Sequence, residues 1–284
     1  MKDAKSRPVQ TTVPARGKLK RIICFIFLFV FLFFTPCFAK DVIMTVIYNN
    51  VPYNQELTTA WGMSCLIEGL EKTILFDTGG DGAVLLANMA KLGIDPMTID
   101  TVVLSHIHSD HTGGLWDLLE KNSRVIVYVL ESFPKDFKNR VEHLCGKVIS
   151  VREPIEIGKD VWSTGELGAW MKEQSLVIDT KKGLIIITGC AHPGIVDIVK
   201  FTREHFQQDV YLVFGGFHLM AYSERQVTGI ISDLKKMGVG KVGPSHCTGE
   251  KQIDMFRNAW GKDFIELGCG AKLEINTIEP KEKE

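Results

Sequence analysis

The chain has 284 residues, 45% of them hydrophobic and 24% charged, with a formal net charge of −1. That is a globular composition, with length for one or two domains and a sizeable core. Residues 1–39 hold seven bases and one acid, so the remainder sets 26 bases against 33 acids; this acidic balance excludes the basic footprint of a nucleic-acid partner.

Lys2, Lys5, Arg7, Arg16, Lys18, Lys20 and Arg21 precede 13 unbroken apolar residues, 22–34, and then Thr35, Pro36 and Cys37-Phe38-Ala39. A basic stretch, an apolar core of about 7–15 residues and a small-x-small ending describe a secretory signal peptide, cut near Ala39. A spanning helix needs about 20 apolar residues, so an uncleaved anchor in the cytoplasmic membrane, facing outward, is the alternative. Cys37 lacks the flanking residues of a lipobox. The mature protein is expected in the periplasm or outside the cell.

Residues 40–284 read as one domain, without a low-complexity linker or internal repeat. Their five cysteines, Cys65, Cys145, Cys190, Cys247 and Cys269, include no C-x-x-C spacing. A domain of this length does not need disulfides, and the sequence leaves any pairing open.

The first half is strand-rich. Residues 41–49, 64–68 and 73–76 have strand character, the last running into Asp77-Thr78-Gly79-Gly80. Residues 82–92 have helical spacing and stop at Gly93, with Pro96 beyond. Residues 100–105 form a buried strand, 114–121 a short helix, 124–130 a strand and 134–144 a helix. In the second half, 147–157 and 160–165 are strand-like, and 175–179 with 183–188 make a hairpin. Helices follow at 194–206, 224–237 and 250–260, strands at 210–214 and 241–244, and residues 264–275 close with strand character. Strand runs followed by strand–helix alternation, twice over, predict two sheets with helices packed outside.

The strand over 100–105 delivers the chain to His106-Ile107-His108-Ser109-Asp110-His111, followed by Thr112-Gly113-Gly114. His106 and His108 alternate by two, so an extended backbone turns both rings to one side. Asp110 and His111 come where the chain turns, and aim at a second point. Gly113 and Gly114 permit a tight bend without a side-chain clash. A water-activating zinc takes about three protein ligands and keeps one position open. Two such ions need more ligands than this motif supplies. His192 (in Thr188-Gly189-Cys190-Ala191-His192-Pro193-Gly194) and His246 (in Ser245-His246-Cys247-Thr248-Gly249) both follow strands among small residues, and are the candidates. His218, after Phe214-Gly215-Gly216-Phe217, is a further candidate as ligand, proton donor or substrate contact; a packed histidine is its alternative. His143 and His205 lie on helical stretches and read as surface residues.

The H-x-H-x-D-H motif after a strand, the preceding Asp77-Thr78-Gly79 and the later His192 and His246 resemble the metallo-β-lactamase superfamily over nearly all of residues 41–275. Thr188–Ile195, Gly215–Leu219 and Ser245–Gly249 resemble its branch of dihydropterin–ribofuranosylaminobenzene 5′-phosphate synthase-like proteins. The resemblance implies an α/β fold, a four-layer αβ/βα sandwich, with a dinuclear metal site at one edge of the sheets. It puts His106, His108 and His192 on one ion and Asp110, His111 and His246 on the other. Asp77 matches a carboxylate that orients ligand imidazoles. One departure stands out. Many relatives carry, after the strand ending here in Gly215-Gly216, an Asp that bridges the ions. This chain has glycine there, with His218 close by. Cys247 is expected to point away along an extended backbone.

The implied chemistry is metal-assisted hydrolysis. Two divalent ions lower the pKa of a shared water from 15.7 towards about 7. Asp110 binds metal and orients the nucleophile, and His218 protonates the leaving group. Imidazole-rich ligands point to zinc; iron and manganese also suit imidazole with carboxylate. Phosphoesters come first as small-molecule substrates, then thioesters or lactones, and the branch argues against β-lactams. An exported metal- or ligand-binding or redox-sensing module is the alternative. Relatives with iron and flavin usually carry a glutamate in the motif, where this chain has Ile107 and Ser109. An inactive structural relative is disfavoured by the complete ligand set.

Overall fold

Runs of apolar and β-branched residues, buried on both faces, build two sheets. The computed structural model describes residues 41–145 and 147–276. By its contacts the chain divides into Met1–Phe38 and Ala39–Glu284; the expected signal segment and the cut at Ala39 lie outside the described residues. The first sheet takes β1 (Val42–Asn49), β2 (Met63–Glu68), β3 (Ile74–Phe76), β4 (Thr101–Val103), β5 (Ile126–Leu130) and β6 (Val148–Val151) in that spatial order. The second takes β7 (Ile155–Gly158), β8 (Val161–Ser163), β9 (Leu176–Thr180), β10 (Gly183–Thr188), β11 (Val210–Gly216) and β12 (Lys241–Ser245). The final strand, β13 (Lys272–Ile275), returns to pair antiparallel with β1.

Helices cover the outer faces. α1 (Gly82–Lys91), α2 (Ser109–Thr112), α3 (Leu115–Lys121) and α4 (Lys135–Cys145) belong to the first half; α5 (Ile195–Phe206), α6 (Glu224–Lys236) and α7 (Glu250–Trp260) to the second. Local signals start them: the Asp81 carboxylate accepts from Ala83 and Val84 N–H at α1, and Ser223 with Gln226 forms a capping box at α6.

Strand periodicity distributes the core among three layers. Ile185 and Ile187 of β10 face inward to meet Val46, Cys65 and Phe76 of the first sheet, while Ile186 faces out to Ile198 and Val199 of α5. Leu66 and Leu75 likewise face out, packing with Leu85 and Met89 of α1 and Leu118 of α3. Helix, sheet, sheet and helix therefore stack as the four-layer αβ/βα sandwich. Phe76 and Phe214 between the sheets are fully buried, and truncating one such as Phe214 costs about 3–5 kcal/mol.

Three expectations change at strand boundaries. The segment 147–157 is not one strand: it breaks at Arg152-Glu153-Pro154, leaving β6 at the edge of one sheet and β7 at the edge of the other. Proline supplies no ladder N–H, so the chain crosses between sheets there. The strand over 100–105 pairs only through Thr101–Val103. Residues 264–275 are mostly loop, with Gly270 at φ +94°; Phe264 and Cys269 make isolated bridges and only Lys272–Ile275 forms a strand. The hairpin holds, with Gly183 opposite Thr180 around Lys181-Lys182.

β3, β4 and β5 run parallel in one sheet, and β10, β11 and β12 in the other. Their carboxyl ends deliver Asp77, the 104–111 segment, the 189–192 loop, His218 and His246 to one edge.

Candidate metal centre

The motif loop is pinned from the end of β3. Asp77, fully buried, accepts from Ser105 N–H (2.7 Å) through Oδ1 and from the Ser105 hydroxyl (2.7 Å) through Oδ2. Thr78 N–H and its hydroxyl both donate to the His111 carbonyl, at 2.8 and 2.9 Å. Gly113 and Gly114 avoid the expected side-chain clash, with no unusual backbone angle. Their φ values are an ordinary −63° and −73°. A Cβ on Gly113 would fall 2.2 Å from the Gly80 carbonyl oxygen, and one on Gly114 2.2 Å from that of Thr78. Two backbones touch here.

Two groups of ligand-type atoms result. The donor atoms of His106, His108 and His192 lie mutually within 4.8 Å, and so do those of Asp110, His111, Cys190 and His246. His106 Nε2 is 3.1 Å from His108 Nδ1. Asp110 Oδ2 sits 3.4 Å from His111 Nε2 and 3.3 Å from His246 Nε2. The six residues read from the sequence as metal ligands are thus brought together, and the extended spacing of His106 and His108 does converge their rings. His143 and His205 are exposed and belong to neither group.

The far Nδ1 atoms are held. His111 Nδ1 donates to Asp77 (2.7 Å), His106 Nδ1 meets the Ser105 hydroxyl (2.9 Å), and His246 Nδ1 meets Asn50 Oδ1 (2.7 Å). Holding Nδ1 in this way turns each Nε2 towards the ligand groups.

The second half holds its residues by a device with no signal in the sequence. Glu173, buried, accepts through one carboxylate oxygen from the N–H groups of Gly189, Cys190 and Ala191 (3.1, 2.9 and 2.8 Å), and through the other from His192 N–H (2.8 Å). Asp77, Ala191, His218 and His246 all have φ between +51° and +60°. Backbone strain at four strand ends converges on one site.

Cys247 does not point away. The left-handed φ of +51° at His246 and the 3₁₀ turn His246–Thr248 end the extended backbone and turn its sulfur inward. Cys190, His218 and Cys247 form a third group within 4.8 Å of one another. Sequence reasoning passed over Cys190, although it lies two residues before His192 in the same loop. His218 is exposed at the rim, its ring 4.4 Å from that of His192.

The electrostatics divide the two groups. Burial, then neighbouring imidazoles, depress His192 to about 4 and His106 well below its usual value, so both are neutral at pH 7. Burial disfavours charge on Asp110 and on His111. It is outweighed: the neighbouring His111 and His246 rings hold Asp110 far below the carboxylate range, and Asp77 with Asp110 raises His111 to about 10. The Asp110 side of the site therefore attracts positive charge. A hydrogen bond with Cys247, then burial, keeps the Cys190 thiol protonated; on Cys247 burial is outweighed by hydrogen bonds from Cys190 and His218, which hold it low. That contact also raises His218.

A cavity of about 580 Å³ opens beside His246, lined by Asn50, Tyr53, Trp61, Met220 and Arg257 among others. Trp61 packs 4.9 Å from the His246 ring, and the exposed Trp170 5.7 Å from that of His192.

Comparison with known proteins bears on this arrangement. The family model described as the metallo-beta-lactamase superfamily matches residues 62–196. Over 282 residues the chain is 32% identical to 7,8-dihydropterin-6-methyl-4-(beta-D-ribofuranosyl)-aminobenzene-5'-phosphate synthase of Methanocaldococcus jannaschii, covering 82% of this chain and 96% of that protein. The chain belongs to the metallo-beta-lactamase superfamily. Tm1679, a metal-dependent hydrolase of the beta-lactamase superfamily, is 30% identical with a TM-score of 0.70, covering 82% of this chain and 99% of that one. The metallo-beta-lactamase fold protein YhfI of Bacillus subtilis shares the fold at 15% identity and a TM-score of 0.63, covering 83% and 99%. The protein is an enzyme of this superfamily, whose norm is hydrolysis.

Metallo-beta-lactamase superfamily members typically bind divalent ions, and the residues present fit them. Both ring nitrogens of His192 and Nε2 of His246 are buried without a hydrogen-bond partner. Buried polar atoms are rarely left so. They face the two groups described above, with imidazole and carboxylate donors of the kind divalent transition metals take.

Proposed function

We propose that the protein is an exported hydrolase that holds two divalent ions and cleaves a small phosphoester, with thioesters or lactones as lesser substrates. The carrying observation is the pairing of two groups of ligand atoms, built from both halves of the chain, with buried nitrogens left without partners. The name of the Methanocaldococcus jannaschii relative includes a phosphate ester, which supports a phosphorus centre.

When bound, the ions supply Lewis acidity that lowers the pKa of water towards about 7 and stabilises developing negative charge. His106, His108 and His192 would hold one, and Asp110, His111 and His246 the other. Zinc suits these donors, with iron and manganese as alternatives. Asp77, Ser105 and Asn50 fix the imidazole tautomers. Asp110 stands between His111 and His246 and orients the attacking oxygen. His218, exposed beside His192 and raised by Cys247, gives a proton to the leaving oxygen. Trp61 and Trp170 shield the edges and offer flat surfaces to substrate.

The N-terminal basic and apolar run supports export, either as a cleaved signal or as an anchor. Metal analysis of the mature protein together with a panel of phosphoesters, thioesters and lactones tests the reading. About two ions per chain with turnover confined to the loaded form, and abolished in His108→Ala, is the expected result. Turnover retained in H108A, or no turnover on any ester by the fully loaded protein, contradicts it. N-terminal sequencing of the exported form decides between signal and anchor.

A further inference from the structure

β11 ends in Gly215-Gly216, so the strand end offers no ligand-type side chain to the Asp110, His111 and His246 group. No side chain fits at Gly216: a Cβ there would lie 2.3 Å from the Gly189 carbonyl oxygen and 2.8 Å from Cys247 Sγ. Phe217 turns into the helical layer and packs edge-on against Phe256 at 5.5 Å. Sulfur fills the space instead. Cys190 Sγ sits 3.2 Å from His111 Nε2, and within 4.8 Å of the donor atoms of Asp110 and His246. Cys190 is 3% exposed, and its place is set by backbone, since Glu173 grips the N–H groups on both sides of it. A second observation points to a ligand in the same space. His246, 2% exposed, leaves its Nε2 there without a hydrogen bond.

We propose that Cys190 is a metal ligand, its sulfur completing the position formed by Asp110, His111 and His246. The inference rests on the dinuclear reading above. On binding, the Cys190 S–H bond breaks, its electron pair forms the metal–sulfur bond and the proton leaves to solvent; no electrons are transferred. The two positions then differ in kind. The three-histidine position keeps the open coordination that activates water, and the sulfur-containing position carries a full set of four protein donors. A thiolate also biases that position towards zinc and away from manganese or magnesium. Cys247 lies behind Cys190, grouped with His218 and not with Asp110, so it is the natural control.

Cobalt(II) titration of the metal-free mature protein, with absorption and ion content read together, tests this. The expected result is two ions per chain and a thiolate-to-cobalt charge-transfer band in the near ultraviolet. Cys190→Ser should lose the band and weaken one ion by at least about tenfold, the loss seen even for partners that only orient a ligand. Cys247→Ser should keep the band. Two ions without a band in the natural protein overturn the inference and leave the hydrolase reading intact. So does a band that survives C190S, or one that vanishes in C247S. A single ion without a band overturns the dinuclear reading as well. Circular dichroism monitors the folding of C190S; the natural protein and C247S decide the matter without it.

Discussion

Asp77 Oδ2 accepts the Nδ1 proton of His111 at 2.7 Å, with both side chains fully buried. The same oxygen accepts the Ser105 hydroxyl, so one carboxylate fixes a ligand candidate and the strand end that carries two more. Replacing Asp77 by Asn keeps the shape but offers a single acceptor oxygen. The variant should bind metal about 10–100-fold more weakly while staying folded, as measured by competition with a chromogenic chelator. Unchanged affinity would show that His111 needs no such orientation.

Glu173 gives a graded expectation. Gln retains one oxygen, which still serves the three N–H groups of Gly189, Cys190 and Ala191, but it opposes an amide N–H₂ to the His192 N–H. Ala leaves all four donors buried without a partner. Each unsatisfied buried group costs about 1–3 kcal/mol. Urea unfolding should therefore rank natural protein above Glu173→Gln above Glu173→Ala, with the alanine variant down by at least about 2 kcal/mol. Equal midpoints for the two variants would refute the clamp.

Gly113 and Gly229 form a contrasting pair. Gly113→Ala puts a methyl 2.2 Å from the Gly80 carbonyl oxygen, whereas a methyl at Gly229, inside α6, would have nothing within 4 Å. The first should destabilise by about 1–3 kcal/mol or more, and the second should stabilise by about 0.5–1 kcal/mol through helix propensity. Thermal unfolding of both variants checks the signs.

The metal-free protein should be most stable near neutral pH. His192 falls from its usual 6.5 to about 4 on burial, and His106 falls as well. Between those values the unfolded chain binds more protons than the native state. Their contribution is whole above about 6.5 and is lost as the pH drops through the folded values. Glu173, raised to about 7 by burial despite its four donors, opposes one of the two across part of this range. His111 runs the other way: raised to about 10, its contribution is whole below about 6.5 and is lost as the pH climbs through 10. Melting temperatures from pH 4 to 10 should pass through a maximum; a steady rise on acidification would contradict the burial of the two neutral imidazoles.

The sequence was legible where its signals are local. His106 to His111 sit within six residues, and a strand end followed by small residues marks His192 and His246. It was silent where contacts span distance. Glu173 meets its partners 16 to 19 residues away, and nothing around it distinguishes it from a surface acid. The inward turn of Cys247 depends on one left-handed φ at His246, which side-chain alternation cannot foresee. The break at Arg152-Glu153-Pro154 had a local marker in Pro154, but the apolar residues on either side hid it. At Gly113 and Gly114 the side-chain clash is legible from the glycine pair, but the atoms that cause it, the carbonyls of Gly80 and Thr78 some 33 to 36 residues away, are not.

The crossing at Pro154 has one more consequence. Each ligand group draws members from before and after that crossing: His106 and His108 with His192, and Asp110 and His111 with Cys190 and His246. Neither half of the chain can assemble a pocket by itself. A cation seated in either would act as a rivet through the sandwich, adding about 2.7 kcal/mol of folding stability at a hundredfold excess over its dissociation constant. Chelation would then loosen the join between the halves, so catalytic competence and mechanical integrity would fail together.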